Sequence, residues 1–517
     1  MRIFKTYFET HSLSLLICGL TCVFISILFL SYNKERNSVF FLILSSIFFF
    51  SFAATLDPFL NLWDERFHAL VAKNFMNHPF IPTLYDNPVV LMDYDRWDRY
   101  HIWFHKQPLF LWQIALSYKL FGVSVTSLRI PNIIMGVFLT YITYRSGKLL
   151  ISFRVGILAG ILLCTSNYLL ELVSGFHGLD HNDFSFLFYV SLSIWAYLEY
   201  TNSKKRKWIF LIGFFSGLAI LCKWLVGLLV YFGWGVTKFK TEKLNLMKYS
   251  DLILSLIVTI LVASPWQIYE FIAFPVEAFK EYAFYAEHFK KALEGHSGAW
   301  YYHFELIHEI YSILGAIILI PALITLHSKL KQPNQYWFII SNILIVYIFF
   351  SLAQTKMPSF TVVVFMLLIL GIASFYISLF DHVLKKVKTI KIFSFIVFTS
   401  IVVILNLNIE MIQENHTTWK KKYPDRDMLV HNMNVFKGLN LPENTAIFNV
   451  KGRHYIECMF YTDLPSYNFI PTKIQYNDLK EKKFKIAIFN GQKLDLPDYL
   501  AKDKDVILLN DEILGYE

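Results

Sequence analysis

Long apolar runs constrain this chain more than any other feature of its sequence. Runs of about 20 mostly apolar residues, the length that spans a bilayer as a helix, recur from the N-terminus to about residue 409. Of the 517 residues, 55% are hydrophobic and only 17% are charged, against about 25% charged in soluble domains. A transmembrane β-barrel would instead show short alternating segments. The sequence therefore predicts a polytopic α-helical membrane protein.

The basic loops between the apolar runs predict the orientation of the chain. Lys- and Arg-rich loops such as 204–207 and 238–248 should face the cytoplasm. The loops that carry the acidic residues and isolated lysines of interest alternate with them and should face outward. Twelve spans are predicted, at residues 13–32, 38–56, 130–150, 155–173, 183–200, 208–222, 224–237, 251–269, 305–326, 336–353, 358–380 and 391–409.

The stretch from residue 208 to residue 237 is long for one crossing and short for two. Basic loops flank it on both sides, so the number of crossings must be even. We therefore predict two short helices, 208–222 and 224–237, with Lys223 at the outer turn between them. A lysine at membrane depth costs roughly 3 kcal/mol. Lys223 should therefore meet an anion such as a phosphate, or else snorkel to the interface.

The character of the sequence changes after residue 409. Residues 410–517 are polar and contain strand-like runs at 445–450, 485–490 and 506–509, with a helix-like stretch at 454–462. This alternation predicts a small soluble α/β domain on the outer face.

The first outer loop, residues 57–107, belongs to the predicted transmembrane domain, residues 1–409. Its aromatic residues and prolines predict an ordered loop with interfacial helices. Asp64 and Glu65 lie side by side in it, where ionised carboxylates are costly to desolvate. Either could serve as a general base or bind a metal ion. Alternatively, they form the acidic first turn of an interfacial helix, which the helix dipole favours.

The segment SGFHGLDHNDFSFLF places two His and two Asp in an outer turn without Lys or Arg. Imidazole and carboxylate groups are suitable ligands for a divalent ion, so His177, Asp180, His181 and, from the first loop, Glu65 are metal candidates. Asp183 could instead cap the helix that follows it. The sequence does not decide which of Asp180 and Asp183 is functional.

Four basic residues could form a site for a lipid phosphate or pyrophosphate. Lys106 precedes a helix that begins with proline, Arg129 precedes Pro131, and Lys356 lies at an outer turn between two predicted spans. Lys223 is the fourth. For Arg129 the alternative is a snorkelling cation at the membrane interface.

Five segments, in this order, resemble the GT-C glycosyltransferases, in particular the bacterial branch related to protein O-mannosyltransferases and to the aminoarabinose transferases that modify lipid A. WDERFHALVAKNF is similar to the acidic-pair motif of that family. HKQPLFLWQIALSYKLFG followed by SLRIPN is similar to its second block, and GLAILCKWLVGLL, ASPW and SLAQTKMPSF are similar to three later elements. The likeness covers roughly residues 50–380, and the shared order makes it specific although each motif is short.

The resemblance implies catalytic roles for the acidic residues. Asp64 matches the proposed base that activates the acceptor hydroxyl, and Glu65 matches its partner. One of Asp180 and Asp183 matches a second outer acidic site.

The resemblance also implies a site for the donor. Lys223 and Lys356 match cations near the lipid phosphate, and Arg129 matches the arginine of the second block. The chain departs from the family pattern in three places. Residues 106–108 read Lys-Gln-Pro instead of Lys-Pro-Pro, Phe360 replaces a tyrosine, and the first loop carries extra sequence at about Val89–His105.

The implied function is transfer of a sugar from a polyprenyl-phosphate-linked donor at the outer face of the bacterial inner membrane. The acceptor would be a hydroxyl or phosphate of lipid A, another glycan, a lipid or a protein, and no nucleic acid is expected. Inversion in a single displacement is implied, and dependence on a divalent metal ion stays open. Two alternatives are a flippase for lipid-linked sugars, which predicts mid-membrane polar sites and internal symmetry, and a non-catalytic envelope assembly protein.

Overall fold

The computed structural model describes residues 8–90, 97–176, 178–242, 246–383, 391–418, 425–491 and 494–515. Helices dominate these residues, and a small parallel sheet lies near the C-terminus. The helices are α1 Thr10–Ser31, α2 Glu35–Ala54, α3 Asp64–Phe75, α4 Pro108–Phe121, α5 Val125–Leu150, α6 Phe153–Cys164, α7 Asn167–Ser174, α8 Asn182–Ser203, α9 Lys207–Lys223, α10 Leu229–Glu242, α11 Ser250–Ala273, α12 Pro275–Lys290, α13 Tyr302–Glu305, α14 Ile307–Lys329, α15 Asn334–Leu352, α16 Phe365–Val383, α17 Lys391–Asn406, α18 Ile409–His416, α19 Asp425–Gly438, α20 Tyr455–Thr462, α21 Lys473–Glu481 and α22 Asp498–Ala501. The strands are β1 Thr445–Phe448, β2 Lys485–Phe489 and β3 Ile507–Leu509.

The chain forms two compact units. The first, called the membrane unit below, comprises Met1–Leu56, Lys106–Phe110 and Arg129–Ile412. The second, called the loop–tail unit, comprises Asp57–His105, Leu111–Leu128 and Gln413–Glu517. Most of the predicted first outer loop therefore shares a compact unit with the tail.

Nine helices in the described part of the chain are long and apolar enough to cross a membrane, or ten if the bent pair α6 and α7 is one span. The prediction of a polytopic helical membrane protein is confirmed. Every one of the twelve predicted spans has a helix at its position. With the bent pair counted, ten spans remain instead of twelve, for two reasons. Helix α8 is long enough but less apolar, and residues 207–241 count as one apolar stretch although the chain reverses within it.

This reversal lies directly after Lys223. Trp224 has φ 65° and ends α9, and a 3₁₀ turn, Trp224–Leu228, folds back on that helix. There Ser216 Oγ donates a hydrogen bond of 2.6 Å to the carbonyl oxygen of Gly227. Only glycine fits this approach, because a Cβ on Gly227 would lie 2.7 Å from the backbone nitrogen of Ile220. The predicted pair of short helices with Lys223 at their turn is confirmed.

The predicted span 155–173 is interrupted. Helices α6 and α7 meet at a bend of 47°, and polar side chains satisfy the backbone groups that the break releases. Asn406 Nδ2 donates to the carbonyl oxygen of Leu162 and to Thr165 Oγ1, both at 2.9 Å. Asn167 Nδ2 in turn donates to the carbonyl oxygen of Asn408 at 3.0 Å. Without such partners a break inside a bilayer would leave hydrogen-bonding groups unpaired.

The tail contains the predicted α/β fold. The three strands are parallel in the order β1-β2-β3, with Ile447 opposite Ala487 and Ile488 opposite Leu508. All four residues of β1 are buried, as is usual for strands covered on both faces. The predicted strands and the helix at 454–462 are confirmed.

Charged groups connect the first loop to the tail inside the loop–tail unit. Asp57 accepts from Arg426 Nη1 at 2.5 Å and lies 2.8 Å from His416 Nδ1. Asp98 pairs with Arg453 at 2.7 Å. Because these carboxylates are almost fully buried, losing either partner would leave an uncompensated charge. These pairs hold distant parts of the sequence in one unit.

Candidate functional site

Four charged side chains from separate parts of the sequence meet in the membrane unit. Lys106 precedes α4, Asp180 and Asp183 lie at the start of α8, and Lys223 is the last residue of α9. Lys106 Nζ lies 2.8 Å from Asp180 Oδ2, and Lys223 Nζ lies 3.6 Å from the same oxygen. Lys223 also donates a hydrogen bond to Asp183 Oδ1. We call these four residues the charged cluster.

The charged cluster is electrically balanced. Asp180 and Asp183 are buried, whereas the Lys106 and Lys223 side chains are 15% and 27% exposed. Two buried carboxylates without cations would be very costly, and the two ammonium groups offset that cost. The partly exposed lysines are therefore the members of the cluster that an incoming anion can reach.

Neighbouring groups fix both carboxylates. Asp180 Oδ1 accepts the backbone N–H of Asn182 at 2.9 Å, and Asp183 Oδ2 accepts a hydrogen bond from Ser359 Oγ. Phe360, which follows Ser359, lies with its ring centre 5.3 Å from Lys223 Nζ. The Asp spacing of three residues places both side chains near the start of α8, where the helix dipole favours negative charge. The prediction that Asp183 caps this helix is wrong, because His181 is the N-cap residue and its helix start has no side-chain cap.

The metal candidates of the membrane unit are engaged in other contacts. The ring of His181 packs edge-on against Phe110 at 4.9 Å, and its carbonyl oxygen accepts from Asn132 Nδ2 at 3.2 Å. Asp180 lies beside two ammonium groups, so a divalent cation there would have to displace a lysine or suffer its repulsion. His177 lies outside the described residues.

Arg129 and Lys356 both donate to carbonyl oxygens at helix C-termini. Arg129 is fully buried, so the snorkelling alternative is wrong, and its Nη1 donates to the carbonyl oxygen of Ala54 in α2 at 3.1 Å. Lys356 Nζ donates to the carbonyl oxygens of Phe350, Ser351 and Ala353 at 2.9, 2.7 and 2.5 Å. Burial lowers the pKa of Lys356. Cations at these positions also complement the helix dipole.

A polar network formed by α11 and α12 was not predicted from the sequence. Gln267 Nε2 donates to Gln107 Oε1 at 2.8 Å, and the Tyr282 hydroxyl bonds with Gln267 and Glu270. The ring of Trp224 packs on Tyr282, 4.3 Å between ring centres. This network thus touches the direct sequence neighbours of Lys106 and Lys223. Glu270, an ionisable residue within an apolar helix, was the feature of the sequence that could have indicated this network.

In the loop–tail unit, the predicted acidic pair begins helix α3. Trp63 precedes it with φ 64° and ψ −125°, a conformation that costs energy in any residue with a side chain. Glu65 is 1% exposed and its Oε2 accepts the backbone N–H of Asn61 at 2.7 Å. Asn61 Nδ2 donates to Asp57 at 3.2 Å, which connects the turn to the Arg426 and His416 pairs described above.

The two carboxylates of this acidic pair therefore differ. Glu65 holds the turn, whereas Asp64 is only half-buried. In the same turn, Arg66 lies 3.5 Å from Glu457 of the tail, and burial lowers the pKa of its guanidinium. The surroundings thus fix the backbone at Asp64, and Asp64 itself keeps part of its surface exposed.

Comparisons with known proteins identify the fold. Residues 105–269 match the family model described as dolichyl-phosphate-mannose-protein mannosyltransferase. The crystal structure of ArnT from Cupriavidus metallidurans bound to undecaprenyl phosphate is similar, with a TM-score of 0.63 and 15% identity over 86% of this chain and 88% of that chain. The chain has the GT-C fold. The resemblance inferred from the five motifs is confirmed, and so is the fold class.

Two curated relatives match a smaller part of this chain. It is 25% identical over 345 residues to an uncharacterised protein of Aquifex aeolicus, 64% of this chain and 61% of the relative. It is 23% identical over 270 residues to undecaprenyl phosphate-alpha-4-amino-4-deoxy-L-arabinose arabinosyl transferase 1 of Pseudomonas fluorescens, 50% of this chain and 47% of the relative. The matches thus span less than two thirds of either relative. The charged cluster lies wholly within residues 105–269, the segment that matches the family model.

Proposed function

We propose that this chain is a membrane glycosyltransferase. It transfers a sugar from a polyprenyl-phosphate-linked donor to a hydroxyl or phosphate of an acceptor, at the outer face of the bacterial inner membrane. The observation that carries the proposal is the charged cluster, because it lies within the segment that matches the mannosyltransferase family and in a fold similar to a protein crystallised with undecaprenyl phosphate. Its location at helix ends also favours an enzyme over a flippase, which would use polar residues at mid-membrane.

The donor phosphate would bind Lys106 and Lys223. In the absence of a ligand Asp180 and Asp183 hold both ammonium groups in place, so little ordering is needed when the phosphate arrives. Lys223 is the more exposed lysine and would contact it first. Two cations already aimed at the leaving phosphate stabilise the charge that develops on it as the sugar departs.

Lys356 and Arg129 would support the same site from a second layer. Lys356 belongs to the turn whose Ser359 bonds with Asp183, and its donors reach three carbonyl oxygens. Its contribution would come from positive charge and from fixing that turn. Arg129, which bonds with the end of α2, would likewise act through charge.

Asp64 would act as the general base. Its carboxylate takes the acceptor proton while the acceptor oxygen attacks the anomeric carbon, and the bond from that carbon to the phosphate oxygen breaks. Polyprenyl phosphate leaves, and the protonated Asp64 later returns its proton to water. Attack opposite to the leaving group inverts the anomeric configuration in one step. Glu65 would position Asp64 by holding the turn before α3.

A divalent metal ion, if used, would be bound by Glu65, His177, Asp180 or His181. Because Asp180 lies 2.8 Å and 3.6 Å from two ammonium groups, we expect metal-free turnover. Treatment of the purified protein with EDTA should then leave turnover within about twofold of the untreated value. Loss of activity on chelation, with recovery on addition of Mn²⁺ or Zn²⁺, would assign these residues to a metal instead.

The central experiment measures release of polyprenyl phosphate from a polyprenyl-phosphate sugar by protein in nanodiscs. Lys223→Ala should slow release by at least about 100-fold, since it removes a cation aimed at the leaving group. Lys329→Ala, an exposed lysine at the end of α14, is the matched control and should retain full activity. Transport of the lipid-linked sugar across proteoliposomes without any release would indicate the flippase, and wild-type turnover of Lys223→Ala would refute the assigned donor site.

A further inference from the structure

An open groove lies within the loop–tail unit. Its volume is about 430 Å³, within the range of sites that hold small molecules. The C-terminal half of α3 and the residues just after it form one side, through Leu70, Lys73 and Asn77. Residues 84–87, Val89, Val123 and parts of the tail, including Phe484, form the rest. The groove is thus built from segments nearly 400 positions apart in the sequence.

The amide side chains of the groove divide into two kinds. Asn74 Nδ2 donates to the carbonyl oxygens of Thr83 and Leu84 at 2.9 and 3.3 Å, so it serves the fold. Asn77 and Asn87 are exposed at the groove, and their side chains form no hydrogen bond with any described residue. An amide offers two donors and an acceptor, which matches a sugar hydroxyl that both donates and accepts.

The charges of the groove disfavour an anionic ligand. Its charged lining residues are Lys73, Asp86, Glu443 and Asp463. Lys73 Nζ is already bonded to Asp463 at 2.5 Å and to the carbonyl oxygen of Phe460 at 2.6 Å. The remaining carboxylates give the groove a negative field that repels phosphate groups. The half-buried ring of Phe484 adds an apolar surface on which a sugar ring can pack.

We propose that this groove binds an uncharged oligosaccharide portion of the acceptor. The inference rests on the proposed glycosyltransferase function, and it names the acceptor as a glycan of more than one sugar. The reason is distance along α3, whose first residue is the proposed base Asp64 and whose last turn borders the groove. The groove residues Leu70 and Lys73 follow Asp64 by six and nine residues of α-helix, which is about 9 to 14 Å along its axis. A ligand that reaches both the groove and Asp64 must therefore be extended.

Binding can be tested without turnover on a panel of immobilised bacterial envelope oligosaccharides, grouped as uncharged, amine-bearing and phosphorylated. The full chain carrying Asp64→Asn is used, so that catalysis does not contribute. We expect uncharged members to be retained and phosphorylated members to be excluded. The double variant Asn77→Ala/Asn87→Ala should lose about 10-fold in affinity, as expected for two hydrogen bonds to a ligand. Asn477→Ala, an exposed asparagine of α21 outside the groove, is the control and should bind normally.

The outcomes separate this inference from the proposed function. Preference for phosphorylated members, absence of binding to any member, or unchanged affinity of the double variant would each overturn the groove assignment. If the affinity of the double variant is unchanged, release of polyprenyl phosphate would still test the proposed transferase activity separately. In the active chain, Asn77→Ala/Asn87→Ala should raise the KM for the acceptor glycan about 10-fold while kcat and the KM for the donor stay unchanged. A fall in kcat instead would indicate a structural role for these amides.

Discussion

The two units of this molecule hold buried carboxylates in different ways. In the membrane unit, Asp180 and Asp183 pair with lysines that are 15% and 27% exposed. In the loop–tail unit, Asp57 pairs with Arg426 and with the fully buried His416, and Glu65 accepts a backbone N–H. Lysine is a flexible point charge, whereas arginine and backbone donors fix geometry. The lysines of the membrane unit can therefore turn toward a ligand. The arginine and backbone donors of the loop–tail unit suit a rigid scaffold.

This difference assigns a separate task to each unit. The charged cluster is balanced and partly accessible, so an incoming phosphate can share its lysines at a modest electrostatic cost. The Asp57 network is largely buried, and it fixes the position of the turn that ends at Asp64. If this comparison is correct, substitutions in the loop–tail network should act on stability, and those in the charged cluster on the donor. Asp64 should act on turnover alone.

The largest expected effect is that of Asp64→Asn. Loss of a general base should lower kcat by about 1,000-fold, while the melting temperature stays unchanged because Asp64 is only half-buried and the bond to Asn61 comes from Glu65. Turnover and thermal unfolding are measured on the same nanodisc sample. Asp498→Asn, an exposed carboxylate in α22, is the control. Equal losses of kcat and melting temperature would make Asp64 part of the scaffold.

The next effect concerns Asp57→Ala. It leaves the Arg426 guanidinium and the His416 ring without their acceptor in a buried setting, which should lower the free energy of unfolding of the loop–tail unit by about 3 kcal/mol. Limited proteolysis with mass spectrometry should show faster cleavage within 57–105 and 413–517 and unchanged protection of α8 and α9. Protection equal to that of the wild type would show that the network does not hold this unit.

A double-mutant cycle of Lys223→Met and Asp183→Asn tests the membrane unit. Without Lys223 the buried Asp183 loses its ammonium partner, whereas the double variant removes both charges of the pair, so the two effects should fall short of additivity by about 2 kcal/mol. The binding of polyprenyl phosphate gives the second readout. It should weaken in both variants that lack Lys223 and far less in Asp183→Asn. Equal weakening in all three would mean that the pair serves folding only.

The sequence predicts the parts of this structure that depend on local pattern. Apolar length gives the helices, and the flanking basic loops give the reversal at Lys223. It does not predict the partners of long side chains, because these depend on contacts between distant segments. Arg129 and Lys356 both have the pattern of ligand-binding cations, yet their donors reach carbonyl oxygens at the ends of α2 and α15. A helix C-terminus, with about half a negative charge, attracts a cation as a phosphate does, although more weakly.

Dependence on distant contacts also explains why the polar network of Glu270 and Tyr282 was not predicted from the sequence. Glu270 and Tyr282 lie in segments whose aromatic residues are typical of a membrane interface, and only the fold brings their hydrogen-bond network to Gln107. The short distance between Asp180 and Lys106 likewise crosses 74 positions of the sequence. Lys106 and Asp180 both lie in the segment that matches the family model, but only tertiary contacts bring them together.

The smallest expected effect concerns the turn around Lys356 and its pH dependence. His303 is fully buried near the rings of Phe350 and Phe360, and burial together with the charge of Lys356 lowers its pKa to about 4. The unfolded chain binds a proton at this residue below about pH 6.5, whereas the folded chain does not until about pH 4. The free energy of unfolding should therefore be highest above pH 6.5 and fall by on the order of 1 kcal/mol toward pH 4.

Two variants isolate this contribution from other groups that titrate in the same range. His303→Gln should flatten the dependence of the melting temperature on pH between 6.5 and 4. Lys356→Met should make the fall smaller and end it at a higher pH, because removal of the ammonium raises the pKa of folded His303 toward its unfolded value. It should also lower stability at every pH by freeing three carbonyl oxygens. The donor KM then distinguishes this lysine from Lys223. A lysine that only supports the turn leaves donor affinity within about threefold of the wild type, whereas a larger loss would place Lys356 at the phosphate and make the charged cluster a site of three cations.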